Sequence, residues 1–245
     1  MNVRLVGYTK AVPLQAYNAI DAEKELCEKC GITYIDPLEV PPQEFIAFCA
    51  RVSNPANQMN TESSDRLISY LIKHKHWSPL EMVNVVLEVK TTRDIARQLL
   101  RHRSFSFQEF SQRYADISAL ISEFQPREAR LQDKKDRQNS IDVNDTDLEN
   151  EWNNQQREVW DAAIKAYRWA IENGVAKEQA RVVLPEGLTA SKLYVNGTLR
   201  SWVHYIELRT KKSTQKEHRL MAVECAKAIA AIFPLVNDFV EKTDA

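Results

Sequence analysis

Apolar residues recur along the chain with two different periods. Val83, Val85, Leu87 and Val89 alternate with their neighbours, the period of a strand, and Val3 to Tyr8 reads as a shorter one. Leu67, Ile68, Leu71 and Ile72 follow helical spacing, and Pro42 fits the first turn of a helix through Phe45, Phe48 and Val52. Ala19 to Cys30 reads as a helix that Gly31 ends. Thr92 begins a short helix with Ile95, Leu99 and Leu100 on its buried side. Leu148, Trp152, Trp160, Ile164, Tyr167 and Ile171 mark a long amphipathic helix stopped at Gly174. Thr214 and Glu217 have the spacing of a capping box, opening a last helix through Met221, Cys225, Ala228 and Ile232 that stops near Pro234. The polar stretch 132–147 predicts an exposed loop within one domain spanning residues 1–245, because its flanks are too small for separate cores. The pattern predicts a helix-rich α+β fold with a small sheet.

Composition narrows the functions open to this fold. Lys and Arg total 33 against 34 Asp and Glu, a net charge of −1, which argues against broad binding to nucleic acid or an anionic membrane. The longest apolar run, Ala228 to Val236, is far below the ~20 residues of a membrane helix, and Met1 to Lys10 lacks the pattern of a secretory signal. A cytoplasmic chain is expected. The five glycines stand far apart, at positions 7, 31, 174, 187 and 197. A dinucleotide fingerprint or a P-loop needs them clustered, so any nucleotide must be held by side chains. Cys27 and Cys30 form a Cys-x-x-Cys without a second pair, so no metal site is predicted, and Cys49 and Cys225 sit in apolar surroundings as packing residues.

Chemistry concentrates between Arg97 and Tyr114, where Arg97, Arg101, Arg103 and Arg113 gather with His102 and a single acid, Glu109. Arg97 and Arg101, four apart, are expected to share a helix face. Guanidinium forks bind phosphate bidentately and never lose their proton. Ser104, Ser106 and Ser111 add hydroxyls, and Phe105, Phe107 and Phe110 can pack the loop down or flank a flat ring. Three readings fit: a solvated basic helix end, a grip on single-stranded nucleic acid, or a site for a small phosphorylated ligand. The balanced total charge favours the last. Arg200 and His204 are also four apart, on a polar face distinct from Leu199, Trp202, Val203 and Ile206.

Arg101-His102-Arg103, followed after seven residues by Ser111 and then Arg113, resembles the signature of the flavin-dependent thymidylate synthases. Further blocks follow in the family's order: Ala50 to Ser53, His76 to Glu81, Ala180 to Pro185, Leu199 to Arg209, and Gln215 to His218. The resemblance spans roughly residues 47–233. Gln108 and Phe107 depart from the commoner Asn and Tyr, and the stretch 196–200 is two residues longer than in shorter relatives, which leaves Asn196 and Thr198 without an assigned contact.

This resemblance implies a homotetramer with a largely antiparallel sheet and sites built from several chains. It implies transfer of a one-carbon unit from methylenetetrahydrofolate to C5 of dUMP, with reduction by FAD that NADPH reloads. Ser78, Arg101, His102, Arg103, Glu109, Arg200 and His204 match the FAD positions, with His76 close by. Gln98, Arg101, Glu109, Ser111, Arg113 and Arg181 match the dUMP positions, and Arg209 the arginine that favours ionised uracil N3. No cysteine lies in a matching block, so a cysteine nucleophile is not expected, and Ser111 lacks the adjacent base that a serine nucleophile needs. The rival class is a non-catalytic protein that binds nucleotides or single strands in the Arg101–Arg113 cradle. The remote blocks favour the enzyme, since a binding patch has no need of His76, Arg181, Arg200, His204 and Arg209.

Overall fold

A computed structural model describes residues 2–11, 40–58, 60–116 and 124–241. The helix expected over Ala19–Cys30, with its cysteine pair, lies outside the described residues. The alternation at 83–89 forms strand β2 (Asn84–Thr92), which pairs antiparallel with β1 (Asn2–Tyr8) on one side and with β6 (Ala190–Thr198) on the other. A short strand, β3 (Ser106–Glu109), adds to the far side of β6, giving a four-stranded antiparallel sheet in the order β1-β2-β6-β3. Inward residues of β2 and β6 (Val85, Leu87, Val89, Leu193 and Val195) are fully buried. Each such side chain contributes roughly 1.5–3 kcal/mol. They meet helix α6 (Leu199–Arg209) through Trp202, Val203 and Ile206, and helix α7 (Lys216–Ala230) through Met221, Cys225 and Ile229.

The helices α1 (Pro42–Ala50), α2 (Ser64–Lys73) and α3 (Arg93–Leu99) appear where the pattern predicts them. In α1 the buried side is Ile46 and Ala47, while Val52 lies past the helix end and is exposed. Because α3 ends at Leu99, Arg101 lies in the following turn and does not share a helix face with Arg97. Helix α4 (Thr146–Glu172) runs 27 residues from an Asp145 cap, with Trp160, Ile164 and Tyr167 buried and Trp152 exposed. Gly174, at φ 74°, closes it: Gly174 N–H donates to Ile171 O and Val175 N–H to Ala170 O. Helix α5 (Lys177–Ala180) and a 3₁₀ turn at Arg181–Val183 follow.

The structure departs from the sequence pattern elsewhere too. The polar stretch 132–147 is exposed but not irregular, since strands β4 (Arg130–Gln132) and β5 (Ser140–Asp142) make a hairpin across it. Strand β6 has only two large inward residues, so its alternation is faint in the sequence. No capping box opens α7: Gln215 is the N-cap residue, Thr214 donates to Leu208 O, and Glu217 turns to Arg130 and Arg127 instead. Two guanidiniums outcompete a single backbone N–H for one carboxylate.

Candidate active site

Helix α6 begins where β6 ends, with Thr198 accepting from the Ser201 N–H as its cap. Trp202 Nε1 donates to Val85 O (3.1 Å), which fixes the helix to the sheet. Gly197 lies beneath the ring of Phe105, where a Cβ would stand 2.2 Å from Phe105 Cδ1. This close approach seats Phe105 in the core against Trp202 (4.4 Å between ring centroids), so Phe105 packs the loop down. The turn that carries Arg101, His102 and Arg103 is thereby anchored against α6.

At the C-terminal end of α6, Arg209 Nε donates to His102 Nε2 at 2.9 Å. That nitrogen must therefore present a lone pair. Burial, with Arg209 and then Arg101 nearby, pushes the His102 imidazole down to about 4, so it is uncharged at neutral pH. Its ring meets Tyr205 edge-on at 4.9 Å. Gln98, on α3, reaches the same neighbourhood and is bonded to His218 (3.0 Å) and Gln215 (2.7 Å).

The acid of the segment, Glu109, accepts from Ser191 Oγ (2.8 Å) and lies 3.9 Å from Arg93. Arg181 and Arg97 act electrostatically on that same Arg93, which draws Arg181 into the group. Arg113 pairs with Glu178 (3.4 Å) and lies over the Tyr114 ring, while its own N–H donates to Ser111 Oγ (3.4 Å). Arg101, Arg103 and Arg181 make no side-chain hydrogen bond or ion pair with the described residues.

The second expected group gathers at the other end of α6. Arg200 pairs with Glu81, and His204 packs on Trp77 with ring centroids 4.5 Å apart. Both neighbours flank Ser78 in the 3₁₀ turn Ser78–Met82. His76 stands just before it, where Lys75 adopts φ 59° and His76 N–H donates to Leu71 O. Burial and then Arg200 lower the His204 pKa. Nine residues of helix place Arg200 and Arg209 roughly 13 Å apart along the axis and nearly half a turn round it. One chain thus brings Gln98, His102 and Arg209 together, and Ser78, Arg200 and His204 together, without joining the two groups. Reasoning from sequence gave no role to Trp77, Ser191, Tyr205 or the Gln215–His218 block; the ordered match of that last block was the available signal.

With this geometry in place, similarity to known proteins is decisive. Residues 38–235 match the thymidylate synthase complementing protein family. A probable flavin-dependent thymidylate synthase of Paramecium bursaria Chlorella virus 1 is 46% identical over 194 residues, covering 79% of this chain and 88% of that protein. The flavin-dependent thymidylate synthase of Synechocystis is 46% identical over 202 residues, covering 82% and 91%. The chain belongs to the flavin-dependent thymidylate synthase family. As a member of that family it is an enzyme rather than a passive nucleotide cradle. The fold agrees: a UMP/dUMP methylase from Streptomyces cacaoi, crystallised with 5-Br dUMP, superposes with a TM-score of 0.74 at 24% identity, over 97% of this chain and 93% of that one. Among the described residues, no helix is long and apolar enough to cross a membrane.

Proposed function

We propose that the chain converts dUMP to dTMP by reductive methylation, with methylenetetrahydrofolate as carbon donor and FAD, reduced by NADPH, as hydride carrier. The observation that carries this reading is the Arg209–His102 pair with Arg101 beside it, while Arg101, Arg103 and Arg181 have no partner among the described residues. A fixed cation is held by a neutral acceptor, and guanidiniums are left open for phosphate.

The residues suit both ligands. Ser111, Arg113 and Arg181 offer the hydroxyl and cations that a nucleotide monophosphate needs, and Gln98, Arg101 and Glu109 would complete the dUMP contacts. The ion pair of Arg113 with Glu178 is half exposed on both sides, so it is worth about 0–1 kcal/mol. A charge-assisted bond to phosphate is worth ~1.5–3 kcal/mol and outcompetes it. Ser78, Arg101, His102, Arg103, Glu109, Arg200 and His204 would hold FAD, with the exposed His204 edge on Trp77 offering a flat surface for a ring. Bound flavin supplies the hydride chemistry; the chain supplies position and charge.

Arg209 is the catalytic residue of this reading. Its Nε is committed to His102, which leaves the NH1 and NH2 donors for the pyrimidine. A guanidinium fixed there stabilises negative charge as it develops on the ring and so makes C5 a better nucleophile. His102 serves by remaining neutral, because a protonated imidazole would lose the lone pair that holds Arg209. Among the described thiols, burial raises the pKa of Cys49 and of Cys225, the latter deep in the core, which disfavours a thiolate at either.

A homotetramer completes the reading. Arg200 and Arg209 face different sides of α6, an arrangement that suits ligands held by more than one copy. The apolar groove of about 440 Å³ lined by Trp152, Val159, Pro185 and Leu188, with the exposed Val182 three residues before Pro185, supplies surface for such contact. The test is product formation: anaerobic incubation with dUMP, methylenetetrahydrofolate, FAD and NADPH yields dTMP, and omission of FAD abolishes it. Flavin reduction without dTMP would point to another pyrimidine-directed flavin enzyme.

A further inference from the structure

A line of hydrogen bonds runs from α7 to the site through residues outside its arginine signature. It begins at Glu217, whose carboxylate is paired with Arg130 and Arg127 (3.5 Å). Burial alone would raise this acid, but the bonds from Arg130, its own backbone and Gln215 hold it below the usual carboxylate range, so both its oxygens accept. Gln215 Nε2 donates to Glu217 Oε2 at 2.9 Å. An amide has one donor end and one acceptor end, so Gln215 must turn Oε1 toward Gln98, whose Nε2 donates to it at 2.7 Å.

The same reasoning continues past Gln98. Its Oε1 faces His218 Nδ1 at 3.0 Å, and because that oxygen only accepts, Nδ1 carries the hydrogen. A neutral imidazole has one N–H, so His218 Nε2 is a lone pair that accepts from the Tyr205 hydroxyl at 3.1 Å. His218 is neutral: burial, Arg209 and His102 push it down to about 3. His218 and Tyr205 are buried to 0% and 1% exposure, so solvent offers neither another partner. Glu217 thus sets the sense of Gln215, and the Gln98 amide is held at both ends, by Gln215 Oε1 at its nitrogen and by His218 Nδ1–H at its oxygen.

We infer that His218 is a positioning residue for dUMP: its Nδ1–H, kept in place by the Tyr205 hydroxyl, holds the Gln98 amide in a single orientation toward the substrate. This rests on the reading of Gln98 as a dUMP ligand. Gln98 then presents one remaining N–H and one remaining lone pair of fixed sense. An amide free to flip would spend part of its time with the wrong end toward the nucleotide, and dUMP binding would have to order it.

The test is equilibrium binding of dUMP to the full chain in four forms: wild type, Gln98→Ala, His218→Phe and the double variant. His218→Phe is expected to weaken dUMP about tenfold in the wild-type background and less than about twofold once Gln98 is Ala. His218→Asn, which keeps a donor near the position of Nδ1, recovers most of the loss. A loss of equal size in both backgrounds marks His218 as merely structural and overturns the proposal, as does no loss in the wild type. If Gln98→Ala alone leaves affinity unchanged, the assignment of Gln98 to dUMP is what fails, and the positioning role falls with it. Should the phenylalanine variant not fold, His218→Leu removes the same Nδ1–H with a smaller side chain. It enters the same cycle with the same supporting and contradicting outcomes.

Discussion

Two sets of arginines divide the work of this molecule. Arg127, just before β4, and Arg130, its first residue, are largely buried and fully partnered: Arg127 with Asp94 (2.8 Å), Thr92 and Glu217, Arg130 with Glu128 and Glu217. Arg101, Arg103 and Arg181 have no partner among the described residues, and Arg113 and Arg200 hold only half-exposed acids. A buried guanidinium without an acid is costly, so the first set must be neutralised within the fold. The second set stands where solvent or a ligand can satisfy it. Arg209 lies between the two, half-buried and held by a neutral imidazole rather than an acid, which keeps its positive charge undiminished.

This division can be broken at several points. Arg209→Ala should reduce dTMP formation by about 100- to 1,000-fold while leaving flavin bound, as expected when a preorganised charge is lost. Steady-state turnover and a flavin spectrum check it, and near-normal turnover would remove Arg209 from the chemistry. Arg127→Ala should instead lower folding stability by roughly 2–4 kcal/mol, read by denaturant melts, because it strands Asp94 and part of Glu217. A change under 0.5 kcal/mol would show that the buried set is not structural. Arg181→Ala should weaken dUMP binding by about 10- to 100-fold with little change in melting temperature. Unaltered dUMP affinity would take Arg181 out of the phosphate site.

The histidines give the comparison a pH dependence. His102 and His218 have folded pKa values of about 4 and about 3, below the unfolded value near 6.5. The unfolded chain therefore binds more protons below pH 6.5. Their contribution to stability is fully present above that pH and is lost as pH falls toward about 4 for His102 and about 3 for His218. Between pH 6.5 and 4 a His102→Asn variant should show a shallower decline than the wild type, and equal slopes would mean that His102 is not held neutral. The smallest effect is expected at Glu178→Ala. Freeing Arg113 from an exposed pair should change stability by less than about 1 kcal/mol and leave dUMP affinity equal or slightly tighter. A marked loss of affinity would make Glu178 part of the site.

Elements with a strong period of their own were legible in the sequence: β2 from its valine alternation, α2 and α4 from their apolar faces, and the end of α4 from Gly174. Strands β3 and β6 were not, since β3 is four mostly polar residues and β6 spends its inward positions on Ser191 and Gly197 as well as Leu193 and Val195. Those strands exist because β2 pairs with β6 and β6 in turn pairs with β3. The Thr214–Glu217 spacing misled for the same reason, as distant Arg127 and Arg130 claimed Glu217. At the site, residue types and order identified the family and the arginine cluster. The Arg209–His102 bond joins residues 107 apart in sequence, and His218 lies 120 from Gln98, so neither contact has a local signature.

The central claim is that FAD and dUMP meet in one redox site of this protein. It is tested most directly by visible absorption of the purified protein with FAD, recorded without oxygen as NADPH and then dUMP are added. The account predicts a bound flavin band that NADPH bleaches, with a rate or spectrum that dUMP alters. A protein that holds no flavin, or a bound flavin indifferent to dUMP, would contradict it.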